Sequence, residues 1–190
     1  MDKKSGKHWL QWADLNAPNS TGLFYLDPCF RADVGNFVLA LITAGARVKV
    51  NATRRSEKRA YLFHWSWKIA EGWCKPSEAK SMTGVDIIWD HGNKVASMNA
   101  AKDMVRAFGL APYPRSKVAP ALRSNHISGK AVDMEIIWTD KIKVKKKDGQ
   151  LVEIKYQSNP NTNTKLIETG KSYGVIKHKN DAPHWSVNGK

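Results

Sequence analysis

The sequence predicts an α+β domain in which helices flank a small antiparallel sheet. Apolar residues recur with a helical period at 28–44, whereas 130–138 alternates apolar and polar residues as a strand does. Another alternating segment, 141–156, is interrupted by Asp148-Gly149, a dipeptide typical of a hairpin turn. The chain has 190 residues, of which 42% are hydrophobic, so it can bury one core and we expect a single domain.

Capping residues predict where the main helices begin and end. Asp27 followed by Pro28 is typical of a helix start, and the apolar period continues until Gly45, which is typical of a helix end. Polar N-cap residues predict two further helices, at 56–73 and 93–108. We therefore expect three helices before the main strand.

The strand around Asp133 has two chemically different faces. Val132, Met134 and Ile136 share one face, which we expect to meet the core, while Ala131 and Asp133 share the other. Because alanine is small, it leaves space beside the aspartate for a bound group. This face is the first candidate for a functional site.

Shorter elements are predicted elsewhere. An alternating strand occupies 46–53, a short helix occupies 166–172, and 173–187 contains two short strands around a turn. The segment 75–91 is mixed in character and is interpreted as a loop with one short strand.

The chain is strongly basic. It has 31 Lys and Arg residues against 17 Asp and Glu residues, which gives a formal net charge of +14. Such a charge attracts nucleic acid, anionic lipid or the acidic polymers of a bacterial envelope alike. No recognition helix, zinc finger or aromatic RNA-binding motif accompanies the charge, so nucleic acid is not the expected partner.

The apolar run at 37–44 is too short to cross a bilayer, so no transmembrane segment is expected. The first residues lack the apolar region of a secretory signal. We therefore expect synthesis in the cytoplasm without a signal peptide. Cys29 and Cys74 lack CxxC spacing and are interpreted as two buried thiols, although a disulfide in an oxidising compartment stays open.

The segment SNHISGKAVD predicts a metal site. His126 and Asp133 stand seven positions apart around Gly129, which permits a turn, so the carboxylate points back towards the imidazole. A hydrolytic zinc site takes three protein ligands from His, Asp or Glu and leaves one position for water. The third candidate is His184, which opens a strand after Pro183. The alternative is an ordinary His–Asp hydrogen bond that stabilises the turn.

Asp181, three residues before His184, is the candidate general base. Zinc lowers the pKa of its water to about 7, so a nearby carboxylate can take the proton and return it to a leaving amine. The alternative is an aspartate that only caps the following turn.

Two motifs carry a resemblance to a known family. The pattern S-x-H-x-x-G-x-A-x-D at 124–133, followed by D-x-P-H-W at 181–185, resembles the VanY-like zinc peptidases. These are D-alanyl-D-alanine carboxypeptidases and L-alanyl-D-glutamate endopeptidases with the hedgehog/DD-peptidase fold, and several are phage endolysins. The resemblance implies the same fold here.

The resemblance also assigns the central residues of the site. It implies one zinc ion bound by His126, Asp133 and His184, with Asp181 as general base. Many relatives have a glutamate in place of Asp181, and the endolysin-like branch resembles the aspartate form seen here.

Further residues of the site are implied by the stretch TRRS at 53–56 and by the two motifs. In the family, an arginine at the end of the first strand stabilises the oxyanion, and Arg55 aligns with it. Arg54 is the alternative, because Thr53 and Arg54 stand where Gly and Tyr are common. Ser124 is expected to support a ligand or the substrate, and Trp185 to form a wall of the site.

The resemblance covers roughly 25–70 and 120–190. It leaves 75–115 unexplained, so we expect one zinc peptidase domain over residues 1–190 with an insertion atypical of the family around 75–115. Whether a terminal or an internal peptide bond is cut stays open, because this segment could build either kind of groove. Endopeptidase action, such as cleavage between L-Ala and D-Glu, is favoured.

The expected function is hydrolysis of an amide bond in the stem peptides of peptidoglycan by a monomer. Without a signal peptide, the protein would reach the periplasm or cell wall through a holin-made opening as a phage endolysin, or by injection into a rival cell as an antibacterial effector. Two other classes remain: an inactive binding module of the same fold stabilised by metal, and a nucleic-acid binder driven by charge.

Overall fold

The computed structural model describes residues 2–190, in which helices and a small antiparallel sheet are combined. The α+β class predicted from the sequence is confirmed. The elements in chain order are α1 (Trp9–Asn16), α2 (Pro28–Thr43), β1 (Arg47–Ala52), α3 (Glu57–Ala70), α4 (Lys94–Ala107), β2 (Ala131–Ile137), β3 (Lys141–Lys145), β4 (Leu151–Lys155), α5 (Thr164–Ser172), β5 (Ile176–Lys177) and β6 (His184–Ser186).

The described residues form two compact units. One contains the chain up to Asn19 together with Ser56–Arg123, and so holds α1, α3 and α4. The other contains Ser20–Arg55 and Ser124–Lys190, and so holds all six strands with α2 and α5. The segment 75–115, predicted to be an insertion, belongs to the first unit.

The first unit is built around α3, which packs against α4. Trp67 of α3 and Met104 of α4 are both fully buried. The guanidinium of Arg59 is also buried, and it donates hydrogen bonds to the main-chain oxygen of Ala17 and to the carboxylate of Asp14 at 2.7 Å. A buried charge is stable only when it has hydrogen-bond partners, and the partners of Arg59 lie at the end of α1. These bonds therefore connect α1 to α3. Helix α1 is not among the elements predicted from the sequence.

The second unit contains a four-stranded antiparallel sheet in the order β1-β2-β6-β5. Asp133 of β2 pairs with His184 of β6 in its register. On the other side of β2, the pairing with β1 is irregular between Val50 and Ala52, so that Ala52 lies opposite Asp133. A bulge of this kind changes the direction of the strand next to a site.

The core of the second unit lies on one face of this sheet. Val132 and Met134 are buried with Trp185 of β6, as the predicted alternation required. Asp27 caps α2 by accepting hydrogen bonds from two main-chain N–H groups. The buried side chains of α2 recur every three or four residues and complete this core: Phe30, Val34, Phe37 and Leu41.

A two-stranded hairpin, β3–β4, completes the second unit. Ile142, Val144 and Ile154 are buried, while the lysines of β3 are exposed. Gly149 has a φ of +92°, which glycine adopts without strain. The predicted hairpin around this glycine is therefore confirmed.

One prediction about the cysteines is wrong. Cys29 is exposed and Cys74 is partly buried, and both are free thiols. Cys29 lies one position before the core residue Phe30. Since successive residues of a helix point in different directions, the side chain of Cys29 is rotated away from the core. Among the described residues, no helix is both long and apolar enough to cross a bilayer.

Candidate metal centre

Three side chains of the second unit bring one ligand atom each to a common point. Nε2 of His126 lies 3.2 Å from Nδ1 of His184 and 3.3 Å from Oδ1 of Asp133. Nδ1 of His184 lies 3.1 Å from the same carboxylate oxygen. These are the three residues that the sequence predicted as metal ligands, and together they could hold a metal ion.

The sheet positions two of the three ligands. Asp133 and His184 are opposite each other on neighbouring antiparallel strands, so their side chains leave the same face of the sheet. Val132 and Trp185, each adjacent to one of them, point into the core on the opposite face. Strand alternation therefore separates the polar site from the apolar core.

The third ligand, His126, comes from the turn that precedes β2. This turn needs a glycine, because Gly129 has a φ of +70°. The carbonyl of Gly129 also accepts a hydrogen bond from the main-chain N–H of Asp27 at 2.9 Å. A Cβ at position 129 would lie 2.8 Å from the nitrogen of Asp27 and 3.1 Å from the oxygen of Tyr25. Any side chain at this position would therefore force the backbone around Asp27 to shift.

Main-chain oxygen atoms orient both imidazoles. Nδ1 of His126 lies 2.6 Å from the carbonyl oxygen of Thr53, and Nε2 of His184 lies 3.1 Å from the main-chain oxygen of Lys190. Since these oxygens can only accept, each of the two nitrogens carries a hydrogen. In the neutral ring, the other nitrogen of each histidine then directs a lone pair at the common point, which is how protein partners prepare histidines for metal binding.

The electrostatics of the group also favour a cation. Burial acts to raise the pKa of Asp133, but hydrogen bonds and charge from His126 and His184 outweigh it and hold this pKa well below its usual range. This lowering requires a proton on the ring nitrogens that face the carboxylate. A metal cation bound at the common point would take the place of these protons and attract the same carboxylate.

The distances between the three ligand atoms suit a tetrahedrally coordinated metal ion. Ligand atoms at about 2.0–2.1 Å from such an ion are about 3.3 Å apart. The three distances observed here are 3.1, 3.2 and 3.3 Å. Two imidazole nitrogens and a carboxylate oxygen are a donor set for first-row divalent metals.

Thr53 is a supporting residue that sequence analysis missed. It is fully buried, its N–H donates to the carbonyl of Ser20 at 2.7 Å, and its hydroxyl donates to the carbonyl of Gly22 at 3.1 Å. These bonds hold the Thr53 carbonyl where it accepts from His126. The only signal in the sequence was a threonine where the resembled family has glycine.

The two candidate arginines both contact the turn that carries His126. The main-chain N–H of Arg55 donates to the carbonyl of His126 at 3.1 Å, and the side chain of Arg55 is partly buried. Arg54 is exposed, and its Nε donates to the carbonyl of Ile127 at 3.3 Å. Arg55 is therefore the one connected directly to a ligand residue.

The remaining predicted residues have different positions. Asp181 is exposed in the middle of the turn that connects β5 to His184 of β6, and it lies outside the group of three. The hydroxyl of Ser124 is buried and has no hydrogen-bond partner within residues 2–190, so it is available to a ligand or water. Trp185 is fully buried, with its ring centroid 5.3 Å from that of Phe37, and so lies beneath the site in the core.

Comparison with known proteins adds no family assignment. The sequence matches no protein-family model and no curated protein. The features that bear on function are therefore the geometry of the three candidate ligand residues and the motifs that contain them.

Proposed function

We propose that this protein is a zinc peptidase that hydrolyses an amide bond in the stem peptides of peptidoglycan. The observation that carries the proposal is the convergence of His126, Asp133 and His184, with both imidazoles held in the tautomer that metal binding needs. A bound zinc ion would act as a Lewis acid that activates water and polarises the scissile carbonyl.

The number of candidate protein ligands favours a catalytic zinc ion over a structural one. A structural zinc site has four protein ligands, whereas a catalytic site has three and an open position. In the part of the chain that the structure describes, no fourth His, Cys, Asp or Glu joins the group. The side chain of Asp133 retains 21% exposure, so one side of the group is accessible to water and substrate.

Asp181 is proposed as the general base. Its side chain is exposed on the turn that leads into His184. In the proposed reaction it takes a proton from the attacking water and delivers it to the leaving amine. Arg55, whose main-chain N–H donates a hydrogen bond to His126, is proposed to stabilise the negative charge that develops on the carbonyl oxygen of the scissile bond.

The finer fold is part of the same proposal. A four-stranded antiparallel sheet with its core on one face and the ligands on the other supports the hedgehog/DD-peptidase fold that the motifs imply. The net charge of +14 supports an anionic envelope polymer as the partner. Endopeptidase action as an endolysin or injected effector remains the favoured form of the activity.

The test is hydrolysis of purified peptidoglycan by the zinc-loaded protein. We expect new amino groups to be released, and mass spectrometry of the fragments to identify the bond. His126→Ala and Asp181→Ala should abolish release, while His64→Ala and Asp86→Ala serve as controls outside the site. Undiminished release by His126→Ala or Asp181→Ala contradicts the proposal. Zinc binding without hydrolysis by the unaltered protein would instead indicate a binding module.

A further inference from the structure

Lys177 of β5 is a lysine in an unusual environment. It is only 4% exposed, and its ammonium lies over the ring of Trp185, 5.4 Å from the centroid. Its Nζ donates hydrogen bonds to the main-chain carbonyl oxygens of His178 at 3.0 Å, of His184 at 3.1 Å and of Asp181. All three N–H groups of the ammonium thus have a partner.

The three carbonyls belong to one short segment, here called the turn 178–184, which connects β5 to β6 and ends at the first residue of β6, His184. They come from its beginning, its middle and its end. A further hydrogen bond, from the main-chain N–H of His178 to the carbonyl of His184 at 3.0 Å, closes the turn. The segment therefore folds around a single positive charge contributed by its own strand.

The burial of a charged side chain at this position requires an explanation. Burial lowers its pKa to about 8, while the charges of Asp181 and Asp133 act in the opposite direction. A methionine, which is nearly as long, would fill most of this space without taking a charge out of water. The carbonyl of His178 would then lose its donor, and the carbonyls of Asp181 and His184 would each keep only one main-chain N–H donor. The ammonium therefore gives the turn three hydrogen bonds that an apolar side chain cannot provide.

The turn carries two residues of the proposed site. His184 supplies a ligand nitrogen at its end, and Asp181 supplies the proposed base in its middle. Lys177 binds the main chain of both. We propose that Lys177 is a positioning residue, whose ammonium holds the turn so that Nδ1 of His184 meets His126 and Asp133. The extension of this role to Asp181 rests on the proposed peptidase function, whereas the role for His184 requires only metal binding.

The alternative is a lysine that only stabilises the hairpin. The two roles differ in what they affect: general stabilisation changes the free energy of unfolding, whereas positioning also changes the affinity of the folded protein for metal. Partners that orient metal ligands typically contribute about 10–100-fold to affinity. The decisive measurement is therefore zinc affinity under conditions in which the variant is folded.

The experiment compares Lys177→Met with Lys179→Met in the full chain. Lys179 lies in the same turn but is exposed, so its replacement is a matched control. Metal-free proteins are titrated with zinc chloride against a chromophoric chelator, and circular dichroism checks that they are folded. We expect Lys177→Met to bind zinc about 10–100-fold more weakly, and Lys179→Met to stay within about twofold of the unaltered protein. A folded Lys177→Met with unaltered affinity overturns the proposal.

If Lys177→Met does not fold, Lys177→Gln and Lys177→Arg replace it, because both retain N–H donors. Neither presents three donors from one nitrogen, so both should bind zinc more weakly than the unaltered protein while folded. Unaltered affinity in either overturns the role of the ammonium. With peptidoglycan as substrate, Lys177→Gln should lower kcat more than it changes KM. If the unaltered protein binds zinc but does not hydrolyse peptidoglycan, the peptidase proposal fails while the affinity result still decides the role of Lys177.

Discussion

Asp133 and His184 are paired across the β2–β6 ladder, with Oδ1 of one 3.1 Å from Nδ1 of the other. This pairing brings together two residues that are 51 positions apart in the sequence. Because side chains alternate along a strand, a shift of one residue in the register would move His184 into the core and Trp185 onto the site. The register of a three-residue strand therefore decides whether a metal centre can exist.

Replacement of Asp133 by asparagine should remove most metal affinity while preserving the shape of the side chain. The neutral amide cannot supply the negative charge that stabilises a cation bound between this side chain and the two imidazole nitrogens. We expect the loss of zinc affinity to exceed the range of about 10–100-fold seen when only a supporting partner is changed. Chelator competition measures it. The matched control is Glu135→Gln, an exposed carboxylate two residues further along the same strand, which should leave the affinity unchanged.

Gly129→Ala should destabilise the protein by more than an ordinary substitution of a left-handed glycine. The new Cβ would meet the main chain of Asp27 at 2.8 Å, in addition to the strain at a φ of +70°. The control is Gly92→Ala, at a φ of +77° with no atom within 4 Å of the added Cβ, for which strain alone costs about 1–2 kcal/mol. Urea unfolding followed by circular dichroism compares the two. Equal losses would show that the contact with Asp27 does not matter.

Thr53→Val should weaken zinc binding although the threonine side chain is not a ligand. The substitution keeps the branched shape but removes the hydroxyl that donates to Gly22, a hydrogen bond with a net contribution of about 0.5–1.5 kcal/mol to stability. Its loss loosens the carbonyl that orients His126. Zinc titration and thermal unfolding together measure the effect. Thr162→Val, which removes an exposed hydroxyl, is the comparison and should change neither quantity appreciably.

Removal of metal by a chelator should lower the unfolding temperature of the zinc-loaded protein. A ligand that binds only the folded state stabilises it by about 4.1 kcal/mol at a free concentration of 1,000 times Kd. Differential scanning calorimetry with and without the chelator measures the shift. The same treatment should leave Asp133→Asn unaffected, and a shift of equal size in that variant would place the bound metal elsewhere.

Arg55→Ala should reduce peptidoglycan hydrolysis more than Arg54→Ala. If the guanidinium of Arg55 stabilises the developing oxyanion, its removal should lower kcat by about 100–1,000-fold, as for other donors of this kind. Arg54 already donates to the carbonyl of Ile127 and is exposed, so its removal should have a smaller effect. Rates of amino-group release by the two variants decide between them. The reverse order would transfer the role to Arg54.

Several features could be predicted because they depend on neighbours in the sequence. The cap at Asp27, the hairpin at Gly149 and the two faces of β2 follow from capping, turn geometry and strand alternation, which act within a few residues. The three ligand residues could be proposed because metal binding restricts residue types and His126 and Asp133 are separated by one tight turn.

What the sequence alone determined was thus most of the local elements, although not α1, and the identities of the candidate ligands His126, Asp133 and His184. Only the tertiary structure decided which carbonyl orients His126, since Thr53 lies 73 residues away, and that Lys177 is buried under the turn rather than exposed. A lysine in a chain of net charge +14 is indistinguishable by type from its exposed neighbours. Its role arises from the closure of β5 on β6, which brings three carbonyl oxygens around one ammonium.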